Sequence, residues 1–146
     1  ADVVSSPTGG ALDGMRVLVA EDNATNRQVV ELMLAKLPVT VALVENGEEA
    51  VAAVADREFD LVLMDVQMPL LDGLGATQAI RRLPIRQPVV VALTASAFDD
   101  DRERCMAAGM DDFLSKPLKR GPLVAAMERA QRRLLRDEPG SVPVSG

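Results

Sequence analysis

Residues 60–69 read Asp60-Leu61-Val62-Leu63-Met64-Asp65-Val66-Gln67-Met68-Pro69. The stretch Leu61 to Met64 is apolar at every position, so a strand drawn through it has no polar face to turn to water. Strands of that kind belong to parallel sheets covered by helices on both sides. Asp65 closes the run, and Asp72-Gly73 opens a helix reaching to about Arg82.

Working outward, the same alternation recurs on both sides. Arg16 to Ala20 is a compact β-branched run, Val39 to Val44 a second strand closed by an Asn46-Gly47 turn signal, and Val89 to Leu93 a continuously apolar fourth. Phe113-Leu114-Ser115 reads as the fifth. Helical spacing marks Ala24 to Lys36 (stopped by Pro38), Glu48 to Ala55, Asp99 to Ala108 (stopped by Gly109) and Lys119 to Leu135. No internal repeat is apparent. Right-handed crossovers then predict an α/β fold, a doubly wound five-stranded parallel sheet with five helices. Such sheets bind ligands beyond the carboxyl ends of their strands.

The flanks differ in character. Residues 1–13 mix Ser, Pro, Thr and Gly and read as linker; 137–146, with Pro139, Gly140 and Pro143, read as a disordered tail. The folded unit is therefore expected over 14–136, one domain's worth in a chain of 146 residues.

Composition removes several function classes. The chain has no histidine, which excludes a Ser-His-Asp triad, a histidine-bearing zinc site and an internal phosphohistidine. Cys105 is the lone cysteine, so no intrachain disulfide forms; its helical neighbourhood predicts a buried, inert thiol. With 16 Lys+Arg against 22 Asp+Glu the net charge is −6, a field that repels nucleic-acid phosphates and anionic lipid. Aromatic residues are 2% of the chain, too few for stacking on single strands. No apolar run is long enough to span a membrane and no signal pattern opens the chain, so a cytoplasmic location without membrane contact is expected.

The strand ends carry the chemistry. Strand one ends in Glu21-Asp22, strand three in Asp65, strand four in Thr94 and strand five in Lys116. Neighbouring strands lie about 4.8 Å apart, so three carboxylates, a hydroxyl and an ammonium would share one rim. Crowded carboxylates demand a proton or a cation. Oxygen donors without His or Cys point to Mg²⁺ or Mn²⁺. Each residue alone also has a plainer reading: Glu21-Asp22 as an acidic helix cap, Asp65 as a turn cap, Thr94 as an ordinary strand end, Lys116 as a surface residue. Together those readings need a coincidence at four strand ends.

The chain resembles a response-regulator receiver domain. The resemblance is carried by Val17-Leu18-Val19-Ala20-Glu21-Asp22-Asn23, the stretch 60–69, Leu71-Asp72-Gly73, Ala92-Leu93-Thr94-Ala95 and Phe113-Leu114-Ser115-Lys116-Pro117. Asn26-Arg27 and Ala108-Gly109-Met110-Asp111 further resemble receivers of hybrid sensor histidine kinases. The resemblance implies strand order 2-1-3-4-5 and transfer of a phosphoryl group from a partner phosphohistidine to Asp65. It implies Mg²⁺ (or Mn²⁺) held by Glu21, Asp22, Asp65 and the Gln67 backbone carbonyl, with Lys116 and Thr94 contacting the phosphoryl oxygens. A cis Lys116–Pro117 bond and a switch of Thr94 with Phe113 also follow from it. Phe113 departs from the usual residue by lacking a hydroxyl, and Gly75 by replacing an acid.

The implied partner is a histidine kinase or a histidine phosphotransfer domain, docking on the first helix. The domain would catalyse its own phosphorylation and dephosphorylation rather than turn over an external substrate. The two linkers and the hybrid-kinase motifs lead us to expect a piece of a hybrid kinase, itself able to be membrane-anchored; a standalone receiver and a docking receiver that takes no phosphate are the alternatives. A haloacid-dehalogenase-type phosphatase would need an acid where Gln67 stands, and a nucleotide site would need a Gly-rich loop where Glu21-Asp22-Asn23 stands.

Overall fold

In the computed structural model, which describes residues 14–68, 70–95 and 99–137, apolar runs and amphipathic runs alternate along the chain as strands and helices. The elements are β1 (Met15–Ala20), α1 (Ala24–Leu34), β2 (Val39–Val44), α2 (Gly47–Asp56), β3 (Leu61–Asp65), α3 (Gly73–Arg81), β4 (Val89–Thr94), α4 (Asp99–Ala107), β5 (Asp112–Ser115) and α5 (Arg120–Asp137). The expected linker lies outside the described residues, as does the expected tail beyond Asp137, the residue on which α5 ends.

The five strands form one sheet in the order β2-β1-β3-β4-β5, every neighbouring pair parallel. All five residues of β3 are buried, as its unbroken apolar run requires. The pleat splits the interior in two. Val17, Val19, Leu61, Leu63, Val91 and Leu93 meet Val30 and Leu34 of α1 and Leu123, Met127 and Leu134 of α5 on one face. Leu18, Ala20, Val62, Met64, Val90 and Ala92 meet Ala50 and Val54 of α2, Ala76 and Ile80 of α3, and Cys105 of α4 on the other. Cys105 is buried, as its setting predicted.

Helix entries correct two local readings. Asn46-Gly47 does not close a turn; the Asn46 side chain caps α2 by accepting from the Glu49 N–H at 2.8 Å, and Gly47 is the first helical residue. Glycine is required there because a Cβ would lie 2.0 Å from the Leu71 carbonyl oxygen. Asn23, not the preceding acids, caps α1, accepting from the Asn26 N–H at 3.0 Å. The Glu21 carboxylate instead accepts from the Asn23 N–H at 3.2 Å, ahead of the helix. α1 also ends at Leu34 rather than Lys36, before the break that Pro38 imposes.

Candidate functional site

The carboxyl ends of β1, β3, β4 and β5 open onto a cavity of about 630 Å³. Glu21 follows β1, where its N–H still pairs with the Val44 carbonyl at 3.1 Å, and its side chain is 1% exposed. Asp22 is exposed at the mouth. Asp65 is the last residue of β3 and 4% exposed; its Oδ1 accepts from the Gln67 N–H at 3.1 Å, so the chain turns around the carboxylate. Thr94 ends β4 and lines the cavity. The Lys116 N–H bonds to the Thr94 carbonyl at 2.8 Å, extending the ladder past β5, and the Lys116–Pro117 peptide is cis.

Lys116 joins the acids. Its Nζ lies 3.0 Å from Asp65 Oδ2 and 3.1 Å from Glu21 Oε1. One oxygen from each of Glu21, Asp22 and Asp65 falls within a mutual 4.8 Å. The structure thus brings together all of the acids, Thr94, Lys116 and Gln67 that the sequence singled out. Phe113 stands apart, half-buried, and does not line this cavity.

Electrostatics follow from the crowding. Burial pushes the Asp65 carboxyl up, and Glu21 beside it adds to the effect against Lys116 and the Gln67 N–H, leaving it at about 6. Burial opposes ionisation of Glu21 too, but hydrogen bonds with Asp65, the Asn23 N–H and Lys116 hold it below its ordinary value. The two carboxyls therefore titrate as a pair that retains one proton into mild acid. Burial works against the Lys116 ammonium, yet its bonds to Asp65 and Glu21 raise it above the ordinary lysine value. A cation entering this site would displace the shared proton.

Some residues take a place at the site that the sequence did not assign them. Gly73 opens α3 against the end of β3: its N–H bonds to the Val66 carbonyl at 2.9 Å, and a Cβ would sit 2.2 Å from the Asp65 carbonyl oxygen. Arg104 and Cys105 of α4 also line the cavity. The Arg102 guanidinium lies 4.7 Å from the centre of the Phe113 ring. Arg27 donates from α1 to the Glu21 and Asp22 carbonyls. Of these, Arg27 and Gly73 stand inside the stretches that carried the resemblance, where spacing from an acidic pair or an Asp cap was the available signal.

Comparison with known proteins places these features in a family. The response regulator receiver domain family matches residues 17–128. The signal transduction histidine-protein kinase BarA of Escherichia coli (strain K12) is 38% identical over 128 residues, covering 87% of this chain; the chain spans 13% of that kinase's length. Among solved structures, the receiver domain of sensor histidine kinase PA1611 from Pseudomonas aeruginosa PAO1 is 42% identical with a TM-score of 0.76, covering 82% of this chain and 98% of its own. That structure has a magnesium ion coordinated in its active-site cleft. The Saccharomyces cerevisiae receiver domain of Ssk1, solved in complex with the histidine phosphotransfer protein Ypd1, is 29% identical with a TM-score of 0.77, covering 83% of this chain and 91% of its own.

Proposed function

This chain belongs to the response regulator receiver domain family, and from that membership we propose that Asp65 accepts a phosphoryl group from a phosphohistidine on a partner protein. One observation carries the reading: the buried Asp65 carboxylate faces a cavity with Lys116 3.0 Å from one oxygen and two further acids beside it. A carboxylate so placed is a nucleophile. One of its oxygens forms the new bond to phosphorus as the bond to the donor imidazole nitrogen breaks. Lys116, already at Asp65, would turn to the phosphoryl oxygens as a point charge. Thr94 would donate its hydroxyl to the same group.

The donor set fits a hard divalent cation. Glu21, Asp22, Asp65 and the Gln67 backbone carbonyl offer oxygens alone, and the mutual spacing of the carboxylates is that of groups able to share an ion. When bound there, Mg²⁺ (or Mn²⁺) supplies neutralisation of the charge that develops on the transferring group.

The switch would run through Thr94 and Phe113. Phe113 has no hydroxyl to hold it outward, and the Arg102 guanidinium over its ring is the contact that inward rotation breaks. The responsive surface is then α4 with β5 and α5. For the phosphodonor, α1 borders the acids and leaves Val29 42% and Leu32 59% exposed, an apolar face for a histidine kinase or histidine phosphotransfer domain. A place within a hybrid histidine kinase accords with the kinases this chain matches.

The test is incubation with Mg²⁺ and a small phosphodonor followed by intact mass. Gain of one phosphoryl group by the wild type, abolished in Asp65→Asn, is expected. A wild type that gains nothing would make this a docking receiver and overturn the reading.

A further inference from the structure

The acids of the site stand on a turn whose own carbonyls need partners. β1 stops at Ala20, and α1 starts at Ala24, so the Glu21 and Asp22 carbonyls fall between the sheet ladder and the helix ladder. Arg27 answers both. Its Nη1 donates to the Glu21 carbonyl at 2.8 Å and to the Asp22 carbonyl at 3.1 Å, while Nη2 lies 3.8 Å from Glu45 Oε2 just past β2. Its side chain is 18% exposed. One guanidinium thereby ties the acidic turn to the first turn of α1 and to the end of β2.

We infer that Arg27 is a positioning residue for the cation site: it clamps the turn that aims Glu21 and Asp22, and does not itself touch the ion or the phosphoryl group. This rests on the reading of Glu21, Asp22 and Asp65 as cation ligands. Partners behind the ligands commonly govern metal affinity by about 10–100-fold. The sign of the effect is diagnostic. A positive charge beside a cation site opposes cation binding, so removing it tightens the metal if charge is all that Arg27 contributes. Removing a clamp loosens it.

Binding of Mn²⁺ alone, followed by the free-ion paramagnetic resonance signal, distinguishes these. Arg27→Ala is expected to bind Mn²⁺ about tenfold more weakly than wild type. Arg27→Lys, one atom shorter but still a charged donor, should fall between the two. Glu45→Gln, which leaves the carbonyl bonds intact, should stay within about twofold, since exposed ion pairs contribute little. Thermal melting without metal identifies any variant that fails to fold, in which case Arg27→Lys carries the comparison. Folded Arg27 variants that bind Mn²⁺ as tightly as wild type, or more tightly, overturn the inference. A loss in Glu45→Gln equal to that in Arg27→Ala also overturns it, by moving the role to the ion pair. Failure of the underlying reading looks different: wild type would not bind Mn²⁺, or Asp65→Asn would bind it undiminished.

Discussion

Carboxylates gather at both rims of the sheet, but with opposite electrostatic outcomes. At the amino rim they meet guanidinium groups in excess. Asp60 takes Arg16 and Arg86, each at 3.1 Å, and accepts from the Arg16 N–H at 2.8 Å. Asp111 takes Arg81 at 2.8 Å and Arg133 at 3.1 Å and accepts from the Val90 N–H at 2.9 Å. At the carboxyl rim, Glu21 and Asp65 share Lys116, and Asp22 has no ion pair among the described residues. The same residue types are thus a brace in one place and an unmet demand for positive charge in the other. Burial pushes on Asp60 as it does on Asp65, yet the Arg16 and Arg86 contacts carry Asp60 below its ordinary value while Asp65 rises to about 6. What separates them is the charge beside each: two guanidinium groups at Asp60, against a second carboxyl and one ammonium at Asp65.

The sharpest way to break this contrast is to neutralise one acid on each rim. Asp111→Ala removes the carboxylate that pairs with Arg81 and Arg133 and the acceptor of the Val90 N–H, and should lower stability by about 3 kcal/mol in denaturant unfolding. Asp65→Asn, unfolded the same way without metal at pH 7, should instead raise stability by on the order of 2 kcal/mol, because it removes one of two crowded charges. Equal signs for the two variants would end the comparison.

The pH dependence sharpens it further. Asp65 has a folded value of about 6 against an ordinary 3.8, so its contribution to stability is fully present below 3.8 and is lost as pH rises through 6. Asp60, depressed by its arginines, contributes above its ordinary 3.8 and loses that contribution as pH falls through its lower folded value. Metal-free wild type should therefore gain stability between pH 7 and 5 relative to Asp65→Asn, and Mg²⁺ affinity should fall by up to about tenfold per pH unit below 6. Melting curves and Mg²⁺ titrations across that window check both. The smallest effect belongs to a partly exposed pair, Arg129 with Asp112 at 2.8 Å. Asp112→Asn should cost no more than about 0.5 kcal/mol, a difference that vanishes in 1 M salt.

Much of this was legible before folding. The strand runs are short and apolar on both faces, so β3 and β4 announce a covered parallel sheet, and the acids, Thr94 and Lys116 all stand at the ends of such runs. The amino rim was silent. Asp60, Asp111, Arg16 and Arg81 have no spacing that links them, since their bonds cross 44 and 30 residues of sequence. Local chemistry also misled where neighbouring residues compete for the same role. Glu21-Asp22 reads as an acidic cap for α1, where the structure uses Asn23, and Asn46-Gly47 reads as a turn closing β2, where it opens α2. The backbone carbonyl of Leu71, close against Gly47, explains why that glycine stands there, and no residue near Gly47 in sequence announces it.

The amino-acid order by itself determined the layered α/β architecture and the identity of the groups at the strand ends, because both depend on periodicities read within a few neighbouring residues. Tertiary structure alone decided how those groups are compensated: that Lys116 divides itself between Asp65 and Glu21, that Arg27 holds the acidic turn, and that Arg102 covers Phe113. Coulomb and hydrogen-bond energies fall off over a few ångströms, so they are set by distances that only the closed sheet and its packed helices create.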